Sequence, residues 1–199
     1  MRVAGSARTS VACRGPPWSG YRCHTAGKRQ ALPSLPSAPV SGIRRPYVAV
    51  VGGSSADADA CTVAEAVGGA LGRRGAVVVC GGLGGVMEAA CRGARAAGGL
   101  TVGLLPGDDR REANEFVDVA IPTGMGEARN ALVVRAADVV IAIGGEFGTL
   151  SEIALALRTG KQVVGLSTWE LAREGQAVDA IVRVSSAEDA VDVALGLLS

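Results

Sequence analysis

The sequence predicts an α/β fold over residues 46–199: a single Rossmann-like, doubly wound domain with a mainly parallel sheet. Three observations lead there. Short runs of consecutive apolar residues, such as Val48-Ala49-Val50-Val51 and Val139-Val140-Ile141-Ala142-Ile143, lack polar alternation, as strands covered on both faces do. These runs alternate with helix-length segments through short turns, the pattern of βα units in a parallel sheet. Three runs also lead directly into glycine clusters: Gly52-Gly53-Ser54-Ser55, Gly81-Gly82-Leu83-Gly84-Gly85 and Gly144-Gly145-Glu146-Phe147-Gly148.

Taken in order, residues 47–52 read as the first strand. Residues 57–73 read as a helix with Ala60, Ala64, Val67 and Leu71 on one face, stopped at Gly75. Residues 76–80 are a second strand, and 86–97 a helix ended by Gly98-Gly99. A third strand at 100–105 is broken by Pro106-Gly107. A short strand at 116–121 precedes a helix at 126–136. Strand 138–143, helix 150–159 and strand 162–166 follow, then a short strand at 182–184 and a closing helix at 187–198.

Composition narrows the function. The chain of 199 residues is 48% hydrophobic, yet no apolar run approaches the ~18 residues of a membrane helix. The net charge of +1 conceals an asymmetry. Residues 1–45 hold eight basic residues and no acid, leaving 12 basic against 19 acidic residues in the remainder. An acidic body argues against a broad nucleic-acid footprint. The first 45 residues contain Pro16-Pro17, Pro33, Pro36 and Pro39 and show no hydrophobic period, so they read as a disordered tail. Their Arg- and Ser-rich composition has two explanations, an organellar transit peptide or an upstream start in GC-rich coding sequence. The corresponding locations are an organelle or the cytoplasm, and the cytoplasm is the expectation. Cys13, Cys23, Cys61, Cys80 and Cys91 are widely spaced and His24 is the single histidine, which argues against a structural metal. Cys80 and Cys91 read as small buried hydrophobes.

The glycine junctions carry the site. A strand entering a helix through glycine exposes backbone N–H groups suited to phosphate, and ligands of such sheets bind beyond the carboxyl ends of the strands. The candidate ligand-binding residues are therefore Gly52, Gly53, Ser54, Gly81, Gly82, Gly84, Gly85, Met87, Gly144, Gly145, Gly148 and Thr149, with Arg129. Met87 stands where the dinucleotide fingerprint needs its third glycine, and no Walker pattern occurs, so classical NAD and P-loop chemistry are disfavoured. Thr149-Leu150-Ser151-Glu152 also fits a capping box, in which Thr149 caps the helix and Glu152 reaches back to it. Arg129, near a helix start, opposes the helix dipole. An anionic ligand would favour it there, as would a salt bridge to Glu127 or Asp108. With no histidine and one lysine, Lys161, in the body, the available chemistry is a carboxylate, an arginine, hydroxyls and amides around an anion.

Those residues resemble the SLOG superfamily, formerly called lysine-decarboxylase-like, over about residues 47–166. One branch, the "lonely guy" phosphoribohydrolases, has an Arg-Lys pair upstream of Pro-Gly-Gly-x-Gly-Thr-x-x-Glu. The resemblance places its catalytic arginine on Arg129 and its catalytic glutamate on Glu152, while Gly148 and Thr149 agree. Asn130, Gly144 and Glu146 depart from it, standing for lysine, proline and the second glycine. A second branch, the molybdenum-cofactor carrier proteins and their bacterial relatives, is more similar. Its likeness lies in Gly81-Gly82, Gly85-Val86-Met87-Glu88-Ala89, Ala97-Gly98-Gly99, Leu105-Pro106-Gly107 and the stretch 124–130.

The resemblance implies a phosphate-bearing small-molecule ligand and a homo-oligomer, dimer or tetramer. Two functions follow. In the first, the protein binds and carries a nucleotide or molybdopterin-type ligand, with the molybdenum cofactor as cargo and no cofactor required. In the second, it hydrolyses the N-glycosidic bond of a nucleoside 5′-monophosphate using Arg129 and Glu152. Neither needs a specific nucleic acid or a membrane. Glu146 and Asn130 tilt the expectation toward binding.

Overall fold

The computed structural model describes residues 45–198. The expected tail, with Cys13, Cys23 and His24, lies outside them except for Arg45.

Seven parallel strands form one sheet in the order β4-β3-β2-β1-β5-β6-β9. They are β1 (Tyr47–Gly52), β2 (Val77–Cys80), β3 (Leu100–Leu105), β4 (Val119–Pro122), β5 (Val139–Ile143), β6 (Val163–Leu166) and β9 (Val182–Arg183). The intervening β7 (Ala172–Arg173) and β8 (Gln176–Ala177) make a separate antiparallel hairpin. Helices α1 (Ala58–Arg73), α2 (Val86–Ala96), α3 (Asn130–Ala136), α4 (Phe147–Arg158) and α5 (Ala187–Gly196) connect the strands or close the chain.

Alternation along β1 sorts the core into two layers. Val48 and Val50 point into a cluster with Ala64, Val67 and Leu71 of α1, Ala90 and Ala94 of α2, and Val191 of α5. Ala49 and Val51 point the other way, against Val133 and Val134 of α3 and Ile153 and Ala156 of α4. Both faces of the strand are therefore apolar, which explains the uninterrupted valine runs. α1 and α2 approach each other through glycine. A β-carbon on Gly68 would stand 2.0 Å from the Ala90 carbonyl oxygen, and one on Gly93 2.0 Å from that of Glu65.

Most boundaries fall within two residues of the expectation, and the exceptions have physical causes. The fourth strand starts at Val119 rather than 116, because side chains hold the preceding backbone. Asn114 Oδ1 accepts from the Phe116 N–H at 3.1 Å, and Asp118 Oδ2 accepts from the Thr101 N–H at 3.0 Å. The helix expected from 126 opens as a 3-10 turn, Gly126–Arg129, before α3 begins. The β7–β8 hairpin was not foreseen, since its four residues are all exposed and show no apolar alternation. The fourth helix starts at Phe147, three residues before the expected start.

Candidate functional site

The sheet changes winding direction between β1 and β5, which are neighbours in space and separated by three other strands in sequence. At that point loops from adjacent strands diverge and leave a crevice. The structure has a cleft of ≈ 230 Å³ there. Gly52, Gly53 and Ser54 line it from the end of β1, and Leu83 and Met87 from the β2–α2 turn and the start of α2. Pro106 follows β3, and Glu127, Arg129 and Asn130 precede or begin α3. Glu146, Gly148, Thr149 and Glu152 come from the start of α4.

The guanidinium of Arg129 is the site's cation, and the residue is only 7% exposed. Backbone bonds position its turn: Gly126 N–H donates to the Pro106 carbonyl at 2.9 Å, and Gly124 N–H to that of Gly107 at 2.9 Å. The side chain lies against Gly81. A β-carbon there would be 2.4 Å from Arg129 Nη2 and 2.8 Å from Met87 Sδ, so this glycine vacates the space that the guanidinium occupies. Nη1 donates to Asn130 Oδ1 and lies 3.7 Å from Glu152 Oε1. Nε is buried and has no hydrogen-bond partner. The alternative pairing of Arg129 with Glu127 or Asp108 is not what forms; Glu152 is the carboxylate beside it.

Glu152 is 6% exposed. Burial pushes its carboxyl from 4.5 to about 7, against the opposing pull of Arg129. Near neutral pH Glu152 is thus part protonated, so it compensates the Arg129 charge only in part. The capping-box reading is corrected here. Because α4 begins at Phe147, with Glu146 at its N-cap and no side-chain cap bond, Thr149 and Glu152 sit inside the helix. Thr149 is 3% exposed and packs back on Gly145, where a β-carbon would be 2.4 Å from its Oγ1.

The three glycine clusters do meet at one sheet edge, with different tasks. Gly52, Gly53, Ser54, Met87, Arg129, Gly148, Thr149 and Glu152 line the cleft. Gly82, with φ +75°, lies against Leu105 Cδ2, and Gly85, with φ +64°, faces the Gly53 carbonyl. A β-carbon on Gly84 would stand 3.5 Å from the Ser54 carbonyl oxygen. This cluster therefore locks the second turn onto the first, a bond sealed by Val86 N–H donating to Gly53 O at 3.1 Å. Gly144 and Gly145 line a neighbouring cavity with Ser167, Thr168 and Trp169. Leu83, Pro106, Glu127, Asn130 and Glu146 complete the cleft without having been singled out as ligand-binding residues. Leu83 has no signal in the sequence but its place in a glycine turn, whereas Glu127 is a candidate partner of Arg129, Pro106 falls in the carrier-like motif, and Asn130 and Glu146 stand out as departures from the phosphoribohydrolase pattern. Beneath the cleft, the buried thiols of Cys80 and Cys91 stand 3.5 Å apart, and Gly82 N–H donates to Cys80 Sγ at 3.3 Å. Among the described residues, no group of three or more His, Cys, Asp or Glu is placed to hold a metal.

A family model for the SLOG cluster4 family matches residues 45–191. The chain belongs to that family. Within reach of this SLOG member, an uncharacterised protein of Archaeoglobus fulgidus is 44% identical over 119 residues, 60% of this chain and 78% of that one. Among solved structures, the molybdenum cofactor binding protein of the phototrophic bacterium Rippkaea orientalis is 36% identical. It superimposes with a TM-score of 0.73 over 79% of this chain and 100% of that one. The molybdenum cofactor carrier protein of Chlamydomonas reinhardtii is 29% identical, with a TM-score of 0.66 over 78% of this chain and 99% of its own. The DNA processing protein A of Helicobacter pylori, at 20% identity and TM-score 0.57, shares the fold with this SLOG chain.

Proposed function

We propose that this protein binds and carries a phosphate-bearing small molecule, a nucleotide or a molybdopterin-type ligand, in the switch-point cleft. One observation carries the reading: a buried guanidinium borders the cleft, its Nε unpartnered and its neighbouring carboxyl raised by burial so that it is part neutral. A phosphate entering there meets a cation that is already desolvated and positioned, and the bond between them is charge-assisted. The Gly53–Ser54 backbone and the Thr149 hydroxyl offer further polar contacts on the same walls. The likeness to the molybdenum cofactor binding and carrier proteins supports the same class of cargo. The molybdenum cofactor fits this donor set through its phosphate, which Arg129 would hold. No described helix is long and apolar enough to cross a membrane. We take the protein to act in the cytoplasm as a homo-oligomer, a dimer or tetramer, for which exposed Val119 and Ile121 on edge strand β4 offer an apolar strip.

Titration calorimetry with guanosine 5′-monophosphate and with molybdenum cofactor tests the reading. Micromolar or tighter binding that weakens at least tenfold in Arg129→Ala is the expected result. Absence of binding to any phosphorylated ligand would sink it.

The position of Glu152 favours a second reading, N-glycosidic hydrolysis of a nucleoside 5′-monophosphate. A carboxyl held near 7 in the cleft suits proton transfer at neutral pH. Release of free base by the wild type, lost roughly 10²-fold or more in Glu152→Gln, would replace the carrier reading with the enzyme.

A further inference from the structure

The turn from Gly144 to Phe147 separates two hollows. Glu146 and Gly148 face the phosphate cleft, while Gly144 and Gly145 face a second cavity of ≈ 330 Å³ beyond the carboxyl ends of β5 and β6. Ser167, Thr168 and Trp169 complete that second cavity. Its far wall is built firmly onto the turn. Thr168 Oγ1 donates to the Gly144 carbonyl at 2.6 Å, and Trp169 Nε1 donates to that of Glu146 at 3.2 Å. Ser167 is held at φ +47°, a conformation that costs energy for a residue with a β-carbon.

At the crest of the turn stands Phe147, 80% exposed and the most exposed large apolar side chain among the described residues. Its ring lies against Trp169, with centroids 5.6 Å apart and planes tilted by 42°. The full chain has only six Phe, Tyr and Trp residues, so placing two of them together at this rim is not explained by composition. Trp169 packs with its inner edge against the α3–α4 core layer, but core packing does not account for Phe147, which packs into neither helix-covered layer. The neighbours Glu146, Ser167 and Glu170 are polar and exposed, so Phe147 is an apolar side chain set among polar ones at the outer end of Trp169.

We propose that Phe147 and Trp169 form a stacking platform for the planar ring of the ligand whose phosphate binds at Arg129. The ligand class is then a phosphorylated fused nitrogen heterocycle, a purine nucleotide or a pterin phosphate, lying across the Gly144–Phe147 turn. Sequence adjacency supports this span: Phe147 is one residue from both Glu146 and Gly148, which line the phosphate cleft. The bound indole N–H leaves Trp169 oriented by the turn itself, so the platform is preorganised. This inference rests on the phosphate-binding reading and goes beyond it by assigning the ring end of the ligand.

Fluorescence of the full-length protein tests it, with Trp18→Phe making Trp169 the sole indole. The probes are guanosine 5′-monophosphate, a pterin alkyl phosphate and ribose 5-phosphate. The two ring-bearing probes are expected to quench Trp169 and to bind about tenfold or more tighter than ribose 5-phosphate, as base–aromatic stacking gives. Phe147→Ala should abolish that advantage and leave ribose 5-phosphate binding unchanged, while Phe147→Tyr should restore it. Which ring binds better distinguishes the purine from the pterin source. Equal affinity for ringed and ringless probes, or indifference to Phe147→Ala, overturns the platform and leaves the phosphate site standing. No binding of any probe overturns both. A change of mass in light scattering on Phe147→Ala, with ring binding unaltered, would assign the pair to a contact between copies and also overturn the proposal.

Discussion

Where α1 crosses α2, Gly68 and Gly93 remove side chains so that two backbones can touch. Beneath the cleft, Gly81 removes one so that a guanidinium can lie in its place. At the first contact the neighbour of the missing β-carbon is a carbonyl in another helix, which cannot move without moving that helix. At the second it is the end of a flexible side chain, which can move alone. The same residue type therefore sets stability in one region and the aim of a functional group in the other.

The sharpest way to break this contrast is substitution at the helix contact. Gly68→Ala or Gly93→Ala should destabilise the fold by about 3 kcal/mol or prevent folding, as severe overpacking does. Urea denaturation measures it, and a cost below about 1 kcal/mol would show that the helices can separate freely.

The next effect belongs to Glu152 and depends on pH. Its folded-state value is raised from 4.5 to about 7, so the folded protein holds a proton that the unfolded chain releases in that window. Stability from this group is full below 4.5 and is lost as pH rises through about 7. The loss is at most roughly 3 kcal/mol. Denaturation at pH 5 and pH 8 should show this decline in the wild type and a flatter profile in Glu152→Gln. An unchanged slope in the variant would place the titrating group elsewhere.

Gly81→Ala should act at the site with less effect on the fold. The added methyl displaces the Arg129 guanidinium, and phosphate-ligand affinity is expected to drop about tenfold, near 1.4 kcal/mol. The melting temperature should move far less than for the helix-contact variants. A loss of stability matching Gly68→Ala would erase the distinction between the two glycine classes.

The smallest effect is expected at the surface, where Glu188 pairs with Arg73 at 2.6 Å and with Arg74 at 3.0 Å. Exposed pairs contribute little. Thermal melts of Glu188→Gln should therefore fall close to the wild type, and a shift as large as that of Gly68→Ala would make the α1–α5 ion pairs structural.

The reasons for success and failure in reading the sequence follow from range. β1, α1 and β3 were legible because their signals are local: apolar runs, an Asp57 side chain that caps α1 by accepting from Ala60 N–H at 2.8 Å, and glycine stops. The meeting of three glycine turns at one edge was legible because parallel βα order dictates it. Thr149 and Glu152 misled as a capping box because that spacing is satisfied equally by a helix that begins two residues before Thr149, at Phe147, with Glu146 as its cap. The seat of Arg129 on Gly81 joins residues 48 apart, and no pattern within either segment announces it. The same holds for Trp169, whose indole closes onto Glu146 from the far side of β6.

The central place of β1 has a consequence for how the chain comes to be folded. β1 pairs with β2 at Val48 and Val78, 30 residues on, but its other edge waits for Val139 of β5, 91 residues on. During synthesis the first four strands can associate while β1 still presents an open edge of valine and alanine backbone. Such an edge invites pairing with another chain until β5 arrives. The Asp138 carboxylate accepts from Tyr47 N–H at 2.9 Å and Asp138 N–H donates back to the Tyr47 carbonyl at 2.7 Å, a clasp at the start of that late pairing. The cleft also waits for that late half of the chain, because its Arg129 turn, β5 and its α4 wall all lie beyond residue 122. Chains interrupted before β5 would be prone to aggregate and would have no site at all.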